Sequence, residues 1–180
     1  MWKNPVWTLE AALVGDGVAP KDLYPLDVAR AFKKIDSIKS SIAVWYTGGA
    51  QATQLIQSGE VDMMAVWNSR AQGAIDGKAP VAIQWNQALS GIEGYAIPKG
   101  APNAENAQKF VCFSTWAENQ AAWTPHTAIA PTNKNAYQFV PKDRFASLAT
   151  APGNIERLIT TDFNWWAKNL ASVQEKFDEW

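Results

Sequence analysis

The sequence predicts an α/β fold built around a partly parallel sheet. Three observations carry the prediction. Short apolar runs alternate with helical stretches at the spacing of β-α-β-α-β units. The run Val61–Trp67 is too continuously apolar for a sheet with one wet face, and fits a sheet covered on both sides. The 180 residues, 47% hydrophobic and 18% charged, can bury a core in one domain or one lobe.

The elements follow in order. A helix is expected from Pro5 to about Val14, because proline suits a first helical turn and Val6, Leu9 and Leu13 make an apolar stripe. Gly15-Asp16-Gly17 stops it. Asp27 caps a second helix, with Val28, Ala31, Phe32, Ile35 and Ile38 on one face and Arg30, Lys33, Lys34 and Lys39 on a solvated one. Ile42–Tyr46 reads as a strand, and Thr47-Gly48-Gly49-Ala50-Gln51 as a tight turn into a helix ending near Ser58. Val61–Trp67 is the next strand, and Asn68-Ser69 caps a helix through Ile75. Val81–Trp85 and Gly91–Ile97 read as two further strands. Beyond Pro98 the pattern turns helical. Asn103 caps a helix that buries Ala107, Phe110, Val111 and Ser114, and a short helix covers Glu118–Trp123. Ile155–Thr160 is a helical turn or two. The last helix starts at Asp162 with Trp166, Leu170, Val173 and Phe177 on its stripe.

Composition excludes several functions. Sixteen basic and seventeen acidic residues give a net charge of -1, which offers no surplus to neutralise nucleic-acid phosphates. No apolar run approaches the roughly 18 residues of a membrane-crossing helix. A single cysteine, Cys112, allows no internal disulfide and no cysteine-rich zinc site; a single histidine, His126, removes most imidazole chemistry. No cofactor is implied. Met1-Trp2-Lys3-Asn4-Pro5 does not read as a signal peptide, so the chain is either cytoplasmic or a piece of a longer precursor.

The aromatic count is the unusual feature: ten tryptophans beside seven Phe and four Tyr. Core packing accounts for most such rings. Tryptophan is also the best face for a cation and a platform for flat or apolar ligands. Residues just beyond the carboxyl end of a parallel strand face the ligand crevice of an open α/β sheet, which singles out Trp67-Asn68-Ser69. The competing reading is a buried ring followed by a helix cap. Glu93 sits in an otherwise apolar run, where a buried carboxylate needs a partner and a bound cation would serve; the competing reading, which has the edge, is a surface-facing or salt-bridged strand residue. The Thr47–Gln51 turn has neither dinucleotide-fingerprint spacing nor a P-loop lysine and reads as a turn. Asp62 reads as structural, His126 as a loop residue and Cys112 as a small hydrophobe.

Three stretches together resemble one family: Gly59-Glu60-Val61-Asp62-Met63-Met64-Ala65-Val66-Trp67-Asn68, Ala79-Pro80-Val81-Ala82-Ile83-Gln84-Trp85 and Tyr95-Ala96-Ile97-Pro98-Lys99-Gly100-Ala101. They are similar to periplasmic spermidine/putrescine-binding proteins of ABC importers, and Asn164-Trp165-Trp166 with the closing helix fits as well. The likeness spans nearly the whole chain but only the C-terminal half of such a protein. It implies one α/β lobe of a type II periplasmic-binding-protein fold. Residues 1–100 would form the sheet core of the second lobe, and 101–180 a mostly helical segment returning to the first lobe. The opening of the precursor, with its signal peptide and most of the first lobe, would be absent.

The resemblance also implies a site. Trp67 matches an aromatic that stacks on the polyamine, Glu93 an acid that binds an amine, and Asn164 a polar amide contact. Tyr46, Trp7 and Asn68 complete the expected ligand surface. Departures are Gly91 where the family has an aromatic, Asn4 and Trp7 in place of an acidic pair, and Ile129 in place of a tyrosine. The loss of carboxylates weakens the case for a multiply charged polyamine and points to a ligand with one amine, or to a less charged and more aromatic-compatible molecule. The implied protein is a non-enzymatic receptor in the periplasm. Its partners are a small amine, the membrane permease, and either the missing first lobe or a second copy. Competing readings are a small α/β hydrolase or transferase, disfavoured by the lack of a Gly-x-Ser-x-Gly elbow, and a stand-alone aromatic-rich module for carbohydrate or another small molecule. Three expectations follow. A central mixed sheet uses all four strands; Trp67, Tyr46 and Trp7 are partly open to solvent; and Trp67 and Glu93 line one concave surface.

Overall fold

Helices dominate the chain, which a computed structural model describes over all residues 1–180. In order they are α1 (Pro5–Gly15), α2 (Val28–Ile38), α3 (Gly49–Ser58), α4 (Asn68–Asp76), α5 (Ala104–Ser114), α6 (Ala117–Trp123) and α7 (Phe163–Glu179). Two short strands, β1 (Leu89–Ser90) and β2 (Ile159–Thr160), pair in parallel with Leu89 opposite Ile159 and Ser90 opposite Thr160. No helix is long and apolar enough to cross a membrane.

The caps explain the helix starts. Asp27 accepts from the Arg30 amide at 3.0 Å and opens α2, and Asp162 accepts from the Trp165 amide at 2.9 Å and opens α7. Gly59, at φ 67°, closes α3 in the left-handed conformation that glycine adopts without cost. The start of α1 is different. Asn4 accepts from the Val6 amide at 2.9 Å, but Val6 (φ -62°, ψ 132°) and Trp7 (φ 68°, ψ -28°) are not helical. They are the central pair of a type II turn, and the regular helix starts at Thr8.

Three hydrophobic cores result. The largest joins α1, α2 and α7 through Leu9, Leu13, Ala31, Ile35, Trp166, Val173 and Phe177. Full burial of each large apolar side chain here contributes about 1.5–3 kcal/mol. The closing helix thus returns to the first two helices of this same chain. A second core gathers Ala121, Ala136, Val140, Leu148 and Ala151 around α6. A third places Tyr46, Ala52 and Leu55 under a rim of Trp2, Val44, Val61, Met64, Val66 and Trp67.

Several expected elements differ. Ile42–Tyr46, Val61–Trp67, Val81–Trp85 and Gly91–Ile97 form no strand ladder, except for one parallel bridge between Tyr46 and Trp2. The four-strand central sheet is therefore corrected to the two-residue pair β1–β2. Apolar runs show what is to be covered, not which backbone will pair with which. The Tyr46 hydroxyl, for instance, donates to the Ala65 carbonyl at 2.7 Å, bridging two of these segments by a side chain. Helix α5 buries none of its residues, with Phe110 and Phe113 exposed, and Cys112 is exposed too. Leu170 is also exposed, and Ile155–Thr160 divides into a 3-10 turn (Ile155–Arg157) and β2.

Candidate functional site

Three tryptophans from different parts of the chain meet. Trp2 lies 5.5 Å from Trp7 and 5.0 Å from Trp67, and Trp7 lies 6.3 Å from Trp67, between ring centroids. All three are half-buried. Trp2 is placed by main-chain bonds on either side of it, from Lys3 N to Tyr46 O and from Tyr46 N to Met1 O, each 2.9 Å. Trp67 is the residue on which α4 begins. Trp7 is placed by the turn that opens α1, and its indole donates to Thr161 Oγ1 at 2.8 Å. A bulky residue at positive φ costs about 1–3 kcal/mol, and such strain persists only where the surroundings enforce it.

Of the expected site residues, Trp67 and Trp7 come together. Tyr46 lies in the core under Trp67 and Trp2 at 2% exposure, which corrects the expectation that it faces solvent. Its burial pushes the phenol pKa up to about 12. The Asn68 side chain is committed to structure: Nδ2 donates to the Ala128 carbonyl at 2.7 Å and the Ser147 carbonyl at 3.0 Å, tying α4 to the two segments after α6. Glu93 and Asn164 are exposed. A Cβ added to Gly91 would come within 3.0 Å of the rings of both Trp7 and Phe163. The absent side chain at Gly91 is the space these rings occupy. Glu93 follows two residues on, a reach of roughly 7 Å along extended chain, and Asn164 follows Phe163.

The aromatic cluster offers π faces for an ammonium group or methylenes. Two charged residues, each three positions beyond a tryptophan of the cluster, escaped the sequence reading. The Arg70 guanidinium lies over Gly49, whose added Cβ would be 3.0 Å from Nε. The chain's ion pairs are Arg30–Asp16, Lys34–Asp16, Lys109–Glu105 and Arg144–Asp76, and Arg70 belongs to none. A cation in the first turn of α4 opposes the helix dipole, and that was the legible signal. The other is Glu10, fully buried, whose Oε1 accepts from Tyr24 Oη at 2.7 Å and Trp166 Nε1 at 2.6 Å. Burial raises its pKa, against the opposing pull of these donors and of the Glu10 and Trp7 amides. Trp2 was missed as well, since no periodicity links it to Trp7. No cluster of His, Cys, Asp and Glu has metal-binding geometry. A groove of about 390 Å³ between α2 and the end of α7 contains none of the residues of the cluster.

Known proteins share this architecture. A solved ABC transporter substrate-binding protein from Bradyrhizobium japonicum superposes with a TM-score of 0.89 at 37% identity, over 98% of this chain and 56% of the other. The binding protein AgtB of A. tumefaciens, in complex with agropinic acid, gives 0.88 at 37% identity over the same shares. The γ-aminobutyric acid-binding protein of Pseudomonas aeruginosa is 34% identical over 183 residues, covering 99% of this chain and 52% of that protein. The chain thus spans about half the length of these relatives. Residues 1–153 match the family model described as bacterial extracellular solute-binding protein, and the chain belongs to that family.

Proposed function

We propose that the chain is the second-lobe portion of a periplasmic receptor that captures a small amine-bearing solute for an ABC importer. The observation that carries this reading is the Trp2–Trp7–Trp67 cluster, with Trp7 held at a strained backbone angle. Each aromatic face in contact with an ammonium contributes about 0.5–2 kcal/mol. Glu93 adds a charge-assisted hydrogen bond to the amine, and Asn164 an amide contact. A first lobe closes over these groups, excludes water and strengthens both interactions. No bond is made or broken, and the closed receptor delivers its solute to the membrane permease.

The charges refine the ligand. A polyamine such as putrescine or spermidine needs an anion at each end, and Glu93 is the one carboxylate we place at this rim. Arg70, without an ion-pair partner beside Gly49, suits a carboxylate instead. An ω-amino acid such as γ-aminobutyric acid satisfies both ends, in keeping with the name of the Pseudomonas relative. Calorimetry with γ-aminobutyric acid, putrescine and spermidine is the test, on this chain and on the chain joined to a first lobe. Binding of the amino acid by the two-lobed protein, and weaker or no binding by this chain alone, is expected. Tighter binding of putrescine would return the ligand to the polyamine class, and equal tight binding by this chain alone would defeat the two-lobe reading.

A further inference from the structure

Trp7 is held from two directions by one segment of chain. At its ring end the indole donates to Thr161 Oγ1 at 2.8 Å; Thr161 is buried, directly follows β2, and its amide donates to the Ser90 carbonyl at 3.0 Å. At its backbone end, Trp7 is the residue from which the regular part of α1 starts, and Glu10 stands three residues on. Its side chain therefore leaves from the first regular turn of the helix, the turn that begins at Trp7. The Glu10 carboxyl accepts from Trp166, one turn into α7, and from Tyr24 in the connector before α2. Its Oε2 is buried with no partner. A buried acid with one oxygen taken by two donors and the other unmatched is an expensive arrangement for packing alone.

We infer that Glu10 is a positioning residue for Trp7. Its carboxyl locks the start of the α1 helix to Trp166 and Tyr24, and so enforces the left-handed turn that sets the Trp7 ring against Trp2 and Trp67. The ring end and the backbone end of Trp7 are then both referred to the β2–α7 segment, residues 159–166. The inference gives a physical source for the strain at Trp7. It rests on the reading of Trp7 as a ligand-facing residue only for its functional meaning; the coupling itself is a property of the unliganded chain.

The test is the indole N–H spectrum of ¹⁵N-labelled chain, with Trp7→Phe and Trp166→Phe used only to assign the two cross-peaks. Glu10→Gln keeps an oxygen for both donors, and Glu10→Met fills the space without one. In Glu10→Met the Trp7 cross-peak should shift and its hydrogen exchange accelerate at least about tenfold, although Glu10 makes no hydrogen bond to that ring. Glu10→Gln should restore the wild-type Trp7 signal, and the indoles of Trp116 and Trp123 should not move in either variant. A Glu10→Met spectrum in which Trp166 moves and Trp7 does not overturns the inference. Tyr24→Phe, which deletes one donor and keeps the ring, covers the case in which Glu10→Met does not fold: a smaller Trp7 shift supports the coupling, and an unmoved peak overturns it. Titration of the two-lobed wild type with γ-aminobutyric acid separates the questions. If the Trp7 peak responds to Glu10→Met but not to ligand, the positioning stands and the ligand assignment falls.

Discussion

Trp166 Nε1 donates to Glu10 Oε1 at 2.6 Å, joining residues 156 positions apart in the middle of the largest core. The contact ties the last helix to the first through a carboxyl with no access to water. The Tyr24 hydroxyl is the titratable group that bonds to it, and burial with the nearby Glu10 pushes that phenol's pKa upward. Glu10 belongs to none of the chain's ion pairs.

This environment makes stability depend on pH in a defined sense. Burial raises the folded-state pKa of Glu10 above its ordinary value of 4.5. The folded chain therefore holds a proton that the unfolded chain releases, so this contribution is complete below the unfolded pKa. It is lost as pH rises through the raised folded value. Glu10→Gln, which carries no titrating proton, should flatten this part of the profile. Thermal unfolding of both proteins from about pH 4.5 to pH 8 checks it; a wild-type profile parallel to that of the variant would contradict the assignment.

Gly91→Ala should disturb the aromatic site. The new methyl meets the Trp7 and Phe163 rings at 3.0 Å, and overpacking of this kind costs about 1–3 kcal/mol. The expected outcome is a lower Tm with a changed near-ultraviolet circular dichroism signal. A variant identical to wild type in both would show that the rings have room to spare.

Arg70→Ala should separate ligand classes. In the two-lobed receptor it should weaken γ-aminobutyric acid binding by about 1.5–3 kcal/mol, the range for a hydrogen bond to a charged group. It should leave any putrescine binding unchanged or improved. Competition calorimetry reads both, and equal losses for the two ligands would remove the carboxylate role.

Trp67→Ala should cost about 1–3 kcal/mol of affinity for an amine, from lost apolar contact and lost cation–π attraction. Glu93→Gln should cost a similar amount and erode the preference for cationic over neutral analogues. Asn68→Ala, by contrast, should act on stability: it strips the Ala128 and Ser147 carbonyls of their donor, at about 1–3 kcal/mol. Chemical denaturation and calorimetry together distinguish the two kinds of effect.

Local chemistry determined the helices, and their positions were legible in the sequence, although the expected buried face of α5, the Asn103 and Asn68 caps and the burial of Leu170 were not found. Asp27 and Asp162 are caps in the sequence and caps in the structure, and the stripe of Trp166, Val173 and Phe177 is buried as its spacing predicts. A helix satisfies its own hydrogen bonds, so its signal is contained within about a dozen residues. The resemblance, which lives in short stretches of sequence, likewise led to the solute-binding family. The strands were not legible, because a strand is completed by another segment and an apolar run does not name its partner. The same reason hid the site's geometry. Trp67 could be singled out at a strand end, but Trp2 joins it only through the bridge to Tyr46. The Gly91 departure acquires a meaning only when Trp7 and Phe163 are seen to fill its space. Glu10 was passed over in the sequence; the fold made it a buried acid by bringing Tyr24 and Trp166 to it from 14 and 156 residues away. Sequence determined what is encoded over one or two helical turns, and tertiary structure decided every contact whose free energy depends on residues distant along the chain.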